Sequence, residues 1–266
     1  MSDTLASTTP RGRLLLVPNT LDLGCVPDGA TPPDLGQVLP QAVLQAASRL
    51  THWVAENAKT TRAFLKRVDA VLPLATPLQQ LDIQVLPRPP KGGGATETPA
   101  AAWQALLAPA LAGHDLGLIS EAGLPGVADP GAGLVLAAHR AGLTVVPMSG
   151  PSSLVLALAA SGLNGQSFAF VGYLPTDATQ RLKRIQELQQ ISSRQRQTQL
   201  VIETPYRNSA LAQSLLQALH PDTLLSISCG LTLEQGWCQT HPVSRWRQQG
   251  VTLPGDIPAV FAWLAP

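Results

Sequence analysis

The sequence predicts an α/β protein of two domains, the first built on a parallel sheet and the second on a mixed one. Hydrophobic residues make up 45% and charged residues only 13% of the 266 residues, the balance expected when central strands are buried on both faces. Short apolar runs alternate with helical patterns up to about Gly150, as β-α-β crossovers require. Beyond Gly150 the candidate strands lie closer together, close enough to pair antiparallel. The predicted organisation is a loose tail over residues 1–12, an N-terminal α/β domain over 13–150 and a C-terminal α/β domain over 151–266.

The run Leu14 to Val17 stops at Pro18 and reads as a buried strand, feeding a loop rich in Pro, Gly and Asp that lasts to about Gly36. Val38, Val43, Leu44, Ala47 and Leu50 follow at helical spacing, with Pro40 tolerable only in the first turn. A strand is expected near Trp53 to Ala55, then a helix over TTRAFLKRVDAVL. The stretch QVLPRPPKGGGATETP reads as irregular, with Gly92 to Gly94 leaving the backbone either mobile or shaped for a ligand, as in a lid or substrate loop. Helix AAWQALLAPALAG, strand LGLIS, helix GAGLVLAAHRAG and strand LTVVPM complete the first alternation. In the second half, helix SLVLALAASG precedes strand-like SFAFVGYL, a polar helix from about Thr179 to Ser192 and strand TQLVIET. Helix SALAQSLLQAL, strand TLLSISCGL, a strand across Gly236 to His241 and the run IPAVFAWL close the chain.

A net charge of +1 exerts no global pull on a polyanion, so a nucleic-acid substrate would need a local basic patch. Arg181, Lys183, Arg184, Arg194 and Arg196 form one basic run, read as a solvated helix face with phosphate binding as the alternative. Cys25, Cys229 and Cys238 are odd in number and widely spaced, which suggests a reducing compartment and neither a disulfide framework nor a zinc site. The five histidines show no ligand spacing, so no metal is expected. The first twelve residues hold no apolar stretch of the signal-peptide kind, and no apolar run approaches the ~20 residues needed to span a bilayer. A soluble, cytoplasmic protein is expected.

The densest group of special residues is SEAGLPGVADPGAG, Ser120 to Gly133, between a buried strand and a helix. A strand-loop-helix junction at the carboxyl edge of a parallel sheet exposes backbone groups to ligands, whereas a plain tight turn needs fewer such residues. Ser120, Glu121, Ala122, Gly123, Pro125, Asp129, Pro130 and Gly131 fit the pattern S-D/E-A-G-x-P-x-x-x-D-P-G. With LLLVPN, VAENAKTTRAFLK, VPMSGPSSLVLALAASGLNGQSFAFVGYLP and IETPYRN in the same order, the chain resembles the tetrapyrrole-methylase-like superfamily over residues 13 to 264. Within it, the resemblance is to the branch of ribosomal RNA small-subunit ribose methyltransferases.

The resemblance implies a homodimer of two-domain chains with S-adenosylmethionine held in the cleft between the domains. It nominates Pro18, Asn19, Ser120, Glu121, Ala122, Gly123, Val127, Asp129, Ser149, Gly150, Ser152, Ser153, Glu203 and Tyr206 for the cofactor. Small residues let backbone groups approach closely, and hydroxyls and carboxylates complete hydrogen bonds to a zwitterionic, ribose-bearing cation. The G-x-G-x-G-D loop of the tetrapyrrole enzymes is replaced by VPNTLDLG, which argues against a corrin or porphyrin substrate. Where the ribosomal branch has A-E-D-T-R, this chain keeps Glu56 and carries Asn57 and Lys59, an amide for a carboxylate and a point charge for a guanidinium. Glu56, Lys59 and Arg62 are the candidate catalytic group, orienting a hydroxyl and helping remove its proton; the alternative is a plain Glu56–Arg62 ion pair at a helix start.

Three functions follow in order. The first is methyl transfer to a 2′-hydroxyl of small-subunit ribosomal RNA, with the RNA or subunit as partner. The second is the same chemistry on a small metabolite or protein. The third is a cofactor-binding module without turnover.

Overall fold

A computed structural model describes residues 10–22, 25–26, 32–87 and 99–266. The chain divides into two compact α/β units, one of residues up to Thr20 with Asp34–Pro151, the other of Leu21–Pro33 with Ser152–Pro266.

In the first unit, β1 (Arg13–Leu16), β2 (His52–Ala55), β3 (Asp82–Val85), β4 (Leu116–Ile119) and β5 (Thr144–Pro147) form one sheet in the order β3-β2-β4-β1-β5. Every pairing is parallel, with Leu14 opposite Leu116 and Val145, and Trp53 opposite Gly117 and Ile83. The helices are α1 (Gln41–Arg49), α2 (Ala58–Val71), α3 (Ala100–Leu111) and α4 (Ala132–Arg140). Because successive strand residues face opposite sides, the sheet makes two cores. Leu15, Trp53 and Ala55 pack with Val43, Leu44 and Ala47 of α1 and Phe64, Leu65 and Val68 of α2. Leu14, Val54, Leu116 and Leu118 pack with Leu106, Leu107 and Ala110 of α3 and Leu134 and Ala138 of α4. Burying each large side chain stabilises the fold by roughly 1.5–3 kcal/mol.

In the second unit, β6 (Phe168–Phe170), β7 (Thr198–Glu203), β8 (Leu224–Cys229), β9 (Trp237–Pro242) and β10 (Ala259–Leu264) are ordered β6-β7-β10-β8-β9. The sheet is mixed, as expected: β6 and β7 run parallel, and β10 runs antiparallel to both β7 and β8. One face carries α6 (Ala178–Gln195), α7 (Asn208–Ala218) and α8 (Val243–Gln249) over Val201, Leu225, Ile227, Phe261 and Trp263. The other carries α5 (Ser153–Ser161) over Leu200, Val260 and Ala262. Asp177 caps α6 by accepting from the Gln180 amide, and Gly162, with φ 70°, ends α5.

Two elements differ from the sequence reading. The stretch read as irregular from Gln84 begins inside β3, a sheet-edge strand whose residues are half-buried or exposed and so lack an apolar signature. α8 was not anticipated because only Val243 and Trp246 of its seven residues are buried. Of the expected loose tail, residues 1–9 lie outside the described residues, whereas the Gly12 amide donates to Ala110 O and Arg11 to Ala141 O. The Gly92–Gly94 segment also lies outside the described residues. Among the described residues no helix is long and apolar enough to cross a membrane.

Candidate functional site

The strand order places the site. β1 and β4 are neighbours, yet β1 continues through α1 towards β2, while β4 continues through α4 towards β5 on the opposite side. The helices that follow them belong to the two different cores, so the loops leaving the carboxyl ends of β1 and β4 part to opposite faces. In a parallel sheet that divergence opens a ligand crevice. The loops concerned are Pro18–Asn19 and Ser120–Gly123, both nominated from the sequence.

Asn19 joins the two loops. Its amide donates to Gly123 O at 2.9 Å, and its Nδ2 donates to Ser120 O at 3.2 Å and Glu121 O at 3.0 Å. Its Oδ1 accepts from the Thr20 amide at 2.9 Å, and the side chain is 4% exposed. Gly123 N returns a bond to Thr20 O at 3.4 Å. The chain after β2 adds a third strut: the Glu121 amide donates to Glu56 Oε2 at 3.0 Å, and Asn57 Nδ2 donates to Glu121 Oε1 at 2.9 Å. Asn57 also caps α2, its Oδ1 accepting from the Lys59 amide at 2.9 Å.

These contacts bring the carboxylates of Glu56 and Glu121 together, and the Asp129 carboxyl lies near enough to feel both charges. The Asp129 carboxyl is pushed up from 3.8 to about 7, first by burial and then by the Glu56 charge, with Glu121 adding to both. The Ser120 hydroxyl, buried and directed to Asp129 at longer range than a formed hydrogen bond, pulls the other way. A buried hydroxyl in that condition has donor and acceptor capacity to spare for a ligand.

Backbone geometry in the Ser120–Gly133 loop departs from a plain turn. Gly123, Gly126 and Gly131 take φ of 66°, 79° and 131°, and Ala128 takes 65° with a side chain present. A non-glycine residue held there stores on the order of 1 kcal/mol, which fixed neighbours must offset. Opposite this loop, a Cβ on Gly150 would lie 2.2 Å from Pro18 Cβ and 2.4 Å from its Cγ, so glycine is what lets the turn after β5 close on the loop after β1.

Of the remaining nominated residues in this unit, Ala122 is half-buried, whereas Val127 and Ser149 are exposed. Lys59 and Arg62 are exposed as well, and Arg62 bonds the Ala58 carbonyl of its own helix at 3.5 Å. The alternative Glu56–Arg62 ion pair is not formed; Glu56 is engaged with the Glu121 amide instead.

The nominated residues of the second unit make a separate group. Glu203 ends β7 with its side chain 2% exposed, Oε2 paired to Arg207 Nη2 at 2.8 Å and Oε1 accepting from the Thr204 amide at 2.8 Å. Tyr206, in the single 3-10 turn between them, is 75% exposed. Ser152 stands at the N-cap of α5 without a side-chain capping bond, and Ser153 opens the helix. In the basic run, Arg181 is spent on Ser214 Oγ and the carbonyls of Pro175 and Thr176, Arg184 on Glu187, and Arg194 on Gln190 O. Sequence reasoning missed the joint role of Asn57 as cap and tether and the pairing of Arg207 with Glu203. The second was available in the four-residue spacing of IETPYR.

A parallel-sheet unit with paired loops at its topological switch point, followed by a mixed-sheet unit, defines a two-domain α/β protein with a candidate ligand site. A sequence model of the tetrapyrrole (corrin/porphyrin) methylases matches residues 42–235, most of the chain. The chain belongs to the tetrapyrrole methylase family. It is 37% identical over 116 residues to the ribosomal RNA small subunit methyltransferase I of Vibrio cholerae, covering 44% of this chain and 39% of that protein. To the protein of the same name from Synechocystis sp. it is 37% identical over 136 residues, covering 50% and 47%. The matches span less than half the length of these relatives. The crystal structure of uroporphyrin-III C-methyl transferase from Thermus thermophilus complexed with S-adenyl homocysteine shares the fold, with a TM-score of 0.51 at 17% identity over 95% of this chain and 97% of that one.

Proposed function

We propose that this protein is an S-adenosylmethionine-dependent methyltransferase acting on a ribose 2′-hydroxyl of small-subunit ribosomal RNA, as a cytoplasmic homodimer. The observation that carries the cofactor assignment is the switch-point site, where three carboxylates and an unpartnered buried hydroxyl sit between glycine-shaped loops. Such a set suits a cation with hydroxyl and amino acid groups. The relatives named as ribosomal RNA small subunit methyltransferases support the acceptor.

When bound, the cofactor supplies a methyl group already activated on a positively charged sulfur. The work left to the protein is binding and alignment, worth far more than acid–base assistance in such a displacement. In this reading the cofactor residues are those the resemblance nominates: Pro18, Asn19, Ser120, Glu121, Ala122, Gly123, Val127, Asp129, Ser149, Gly150, Ser152, Ser153, Glu203 and Tyr206. Glu56 receives the acceptor's proton on Oε1, which accepts no hydrogen bond from the described residues, while Lys59 and Arg62 attract the phosphates beside the acceptor ribose.

A second reading, methyl transfer to a small metabolite or protein, is favoured by the engagement of Arg181, Arg184 and Arg194 in contacts within the chain. Titration calorimetry with S-adenosylmethionine, on the natural protein and Asp129→Ala, tests the cofactor. Binding weakened by the substitution supports it, and no binding at millimolar cofactor refutes it. Methyl transfer to undermethylated small subunits, falling steeply as salt rises, supports RNA; salt-independent turnover of another fraction supports the second reading.

A further inference from the structure

We propose that the outward face of α2 is a track for the sugar–phosphate backbone of single-stranded RNA, along which Lys66 takes a phosphate beyond those met by Lys59 and Arg62. The proposal rests on the RNA reading above and extends it from the reacting ribose to the strand that carries it.

α2 starts at the site itself: Glu56, which accepts from the Glu121 amide, is followed by the cap Asn57 and then by the helix. Lys59, Arg62 and Lys66 stand three and four positions apart, so one helix face carries all three, and all three are exposed. Neither lysine ammonium has a hydrogen bond or an ion pair among the described residues, and Arg62 reaches only Ala58 O of its own helix, at 3.5 Å. Ala63, exposed beside them, is too small to hold a chain off the surface. Arg67 is turned instead to the loop after β1, its Nη1 donating to Thr20 Oγ1 at 3.4 Å. Asp69 ends the row one turn past Lys66, with Oδ1 accepting from the Leu74 amide at 3.0 Å.

The order of these charges runs against the helix. A helix dipole favours acids in the first turn and cations in the last, whereas the first turn of α2 has no acid, its last has no base, and Lys59 and Asp69 occupy the opposite ends. A local rule broken without gain to the fold marks a surface kept for a ligand, and cations gathered towards the positive end of a helix suit an anion. From Lys59 to Lys66 the row advances about 10 Å along the helix axis. That is the rise of about three nucleotides in one strand of a duplex, so a strand can meet the row with successive phosphates. Phosphate contacts set register and orientation without reading sequence; the row positions the acceptor ribose rather than selecting it. The cations of α6 are less available, since Arg181, Arg184 and Arg194 are held by contacts within the chain.

Fluorescence anisotropy of a labelled single-stranded oligoribonucleotide, titrated with the full chain between about 50 and 200 mM salt, tests the row. Lys66→Gln, a change that keeps a good helix former, should bind severalfold more weakly at low salt. It should also lower the salt slope by about 0.7, the share of one phosphate contact, so that its deficit shrinks about threefold across the range. Lys183→Gln, which removes an exposed cation from α6, should match the natural protein in both affinity and slope. S-adenosylmethionine affinity in calorimetry should be the same for all three chains, so that the loss is one of RNA alone. With undermethylated small subunits as acceptor, Lys66→Gln should raise KM more than it lowers kcat. An unchanged slope in Lys66→Gln, or an equal fall in both variants, overturns the proposal and leaves the RNA reading intact. Displacement of the RNA by poly-glutamate at equal charge overturns it in favour of an acidic protein partner. Failure of the natural protein to bind or methylate RNA overturns the RNA reading and the track with it.

Discussion

Replacing Asp129 by asparagine keeps the shape of the side chain and removes its ability to ionise. In the unfolded chain the aspartate ionises at its ordinary 3.8, whereas in the fold burial and the charges of Glu56 and Glu121 raise it to about 7. Between these values the folded state holds more protons than the unfolded state. The stability associated with this group is therefore fully present below pH ~4, declines as pH rises, and is lost by the time pH passes ~7. At about 1.4 kcal/mol per pH unit the unscreened difference would be about 4 kcal/mol. Because Asp129 is only partly buried, solvent screening reduces this, and the expected penalty at pH 8 is on the order of 1–2 kcal/mol. Asp129→Asn should therefore be more stable than the natural protein at pH 8, by a few degrees in melting temperature, and no more stable at pH 4. Urea denaturation at pH 4.5, 6, 7 and 8 gives the profile. An asparagine variant whose advantage does not grow with pH would refute the assignment of a strained, charge-crowded carboxylate.

Gly150→Ala should destabilise the first unit by about 1–3 kcal/mol, because the new methyl must displace the Pro18 ring; a thermal melt reads this, and an unchanged melting temperature would mean that the two turns separate easily. Arg207→Ala leaves Glu203 buried with only the Thr204 bonds and should cost about 3 kcal/mol in urea denaturation, with Glu203→Gln in the same chain recovering most of it. Asn57→Ala removes the cap of α2 and should cost about 1 kcal/mol. Asn57→Asp restores the cap but sets a fourth carboxylate against Glu121, so chemical denaturation should show it recovering more of that loss at pH 5 than at pH 8.

Much of the fold is legible along the chain because its strands are apolar and its punctuation is strong. Leu14 to Val17 ending at Pro18 and LGLIS before SEAGLP are local signals that the three-dimensional contacts reinforce. β3 and α8 were hidden because their stability comes from neighbours: β3 from pairing beside β2, and α8 from two side chains, one of which, Trp246, is anchored through Nε1 to Leu225 O. Strand order was not legible either, since nothing in the alternation of runs says that β4 inserts between β1 and β2. The loop residues at the site could be nominated by type. Their joinery could not, because the partners of Asn19 and Asn57 lie 64 to 104 positions away.

That separation also bears on how the protein acquires its site. The bridge between Asn19 and Gly123 can form only once β1 lies beside β4, a pairing that closes a loop of some hundred residues, with β2, β3 and their helices in between. Contacts so distant in sequence carry a large closure entropy and form late in folding. Ligand-binding competence during refolding should then lag behind the recovery of helical signal. A fragment ending before β4 would lack the bridge however well its own helices formed.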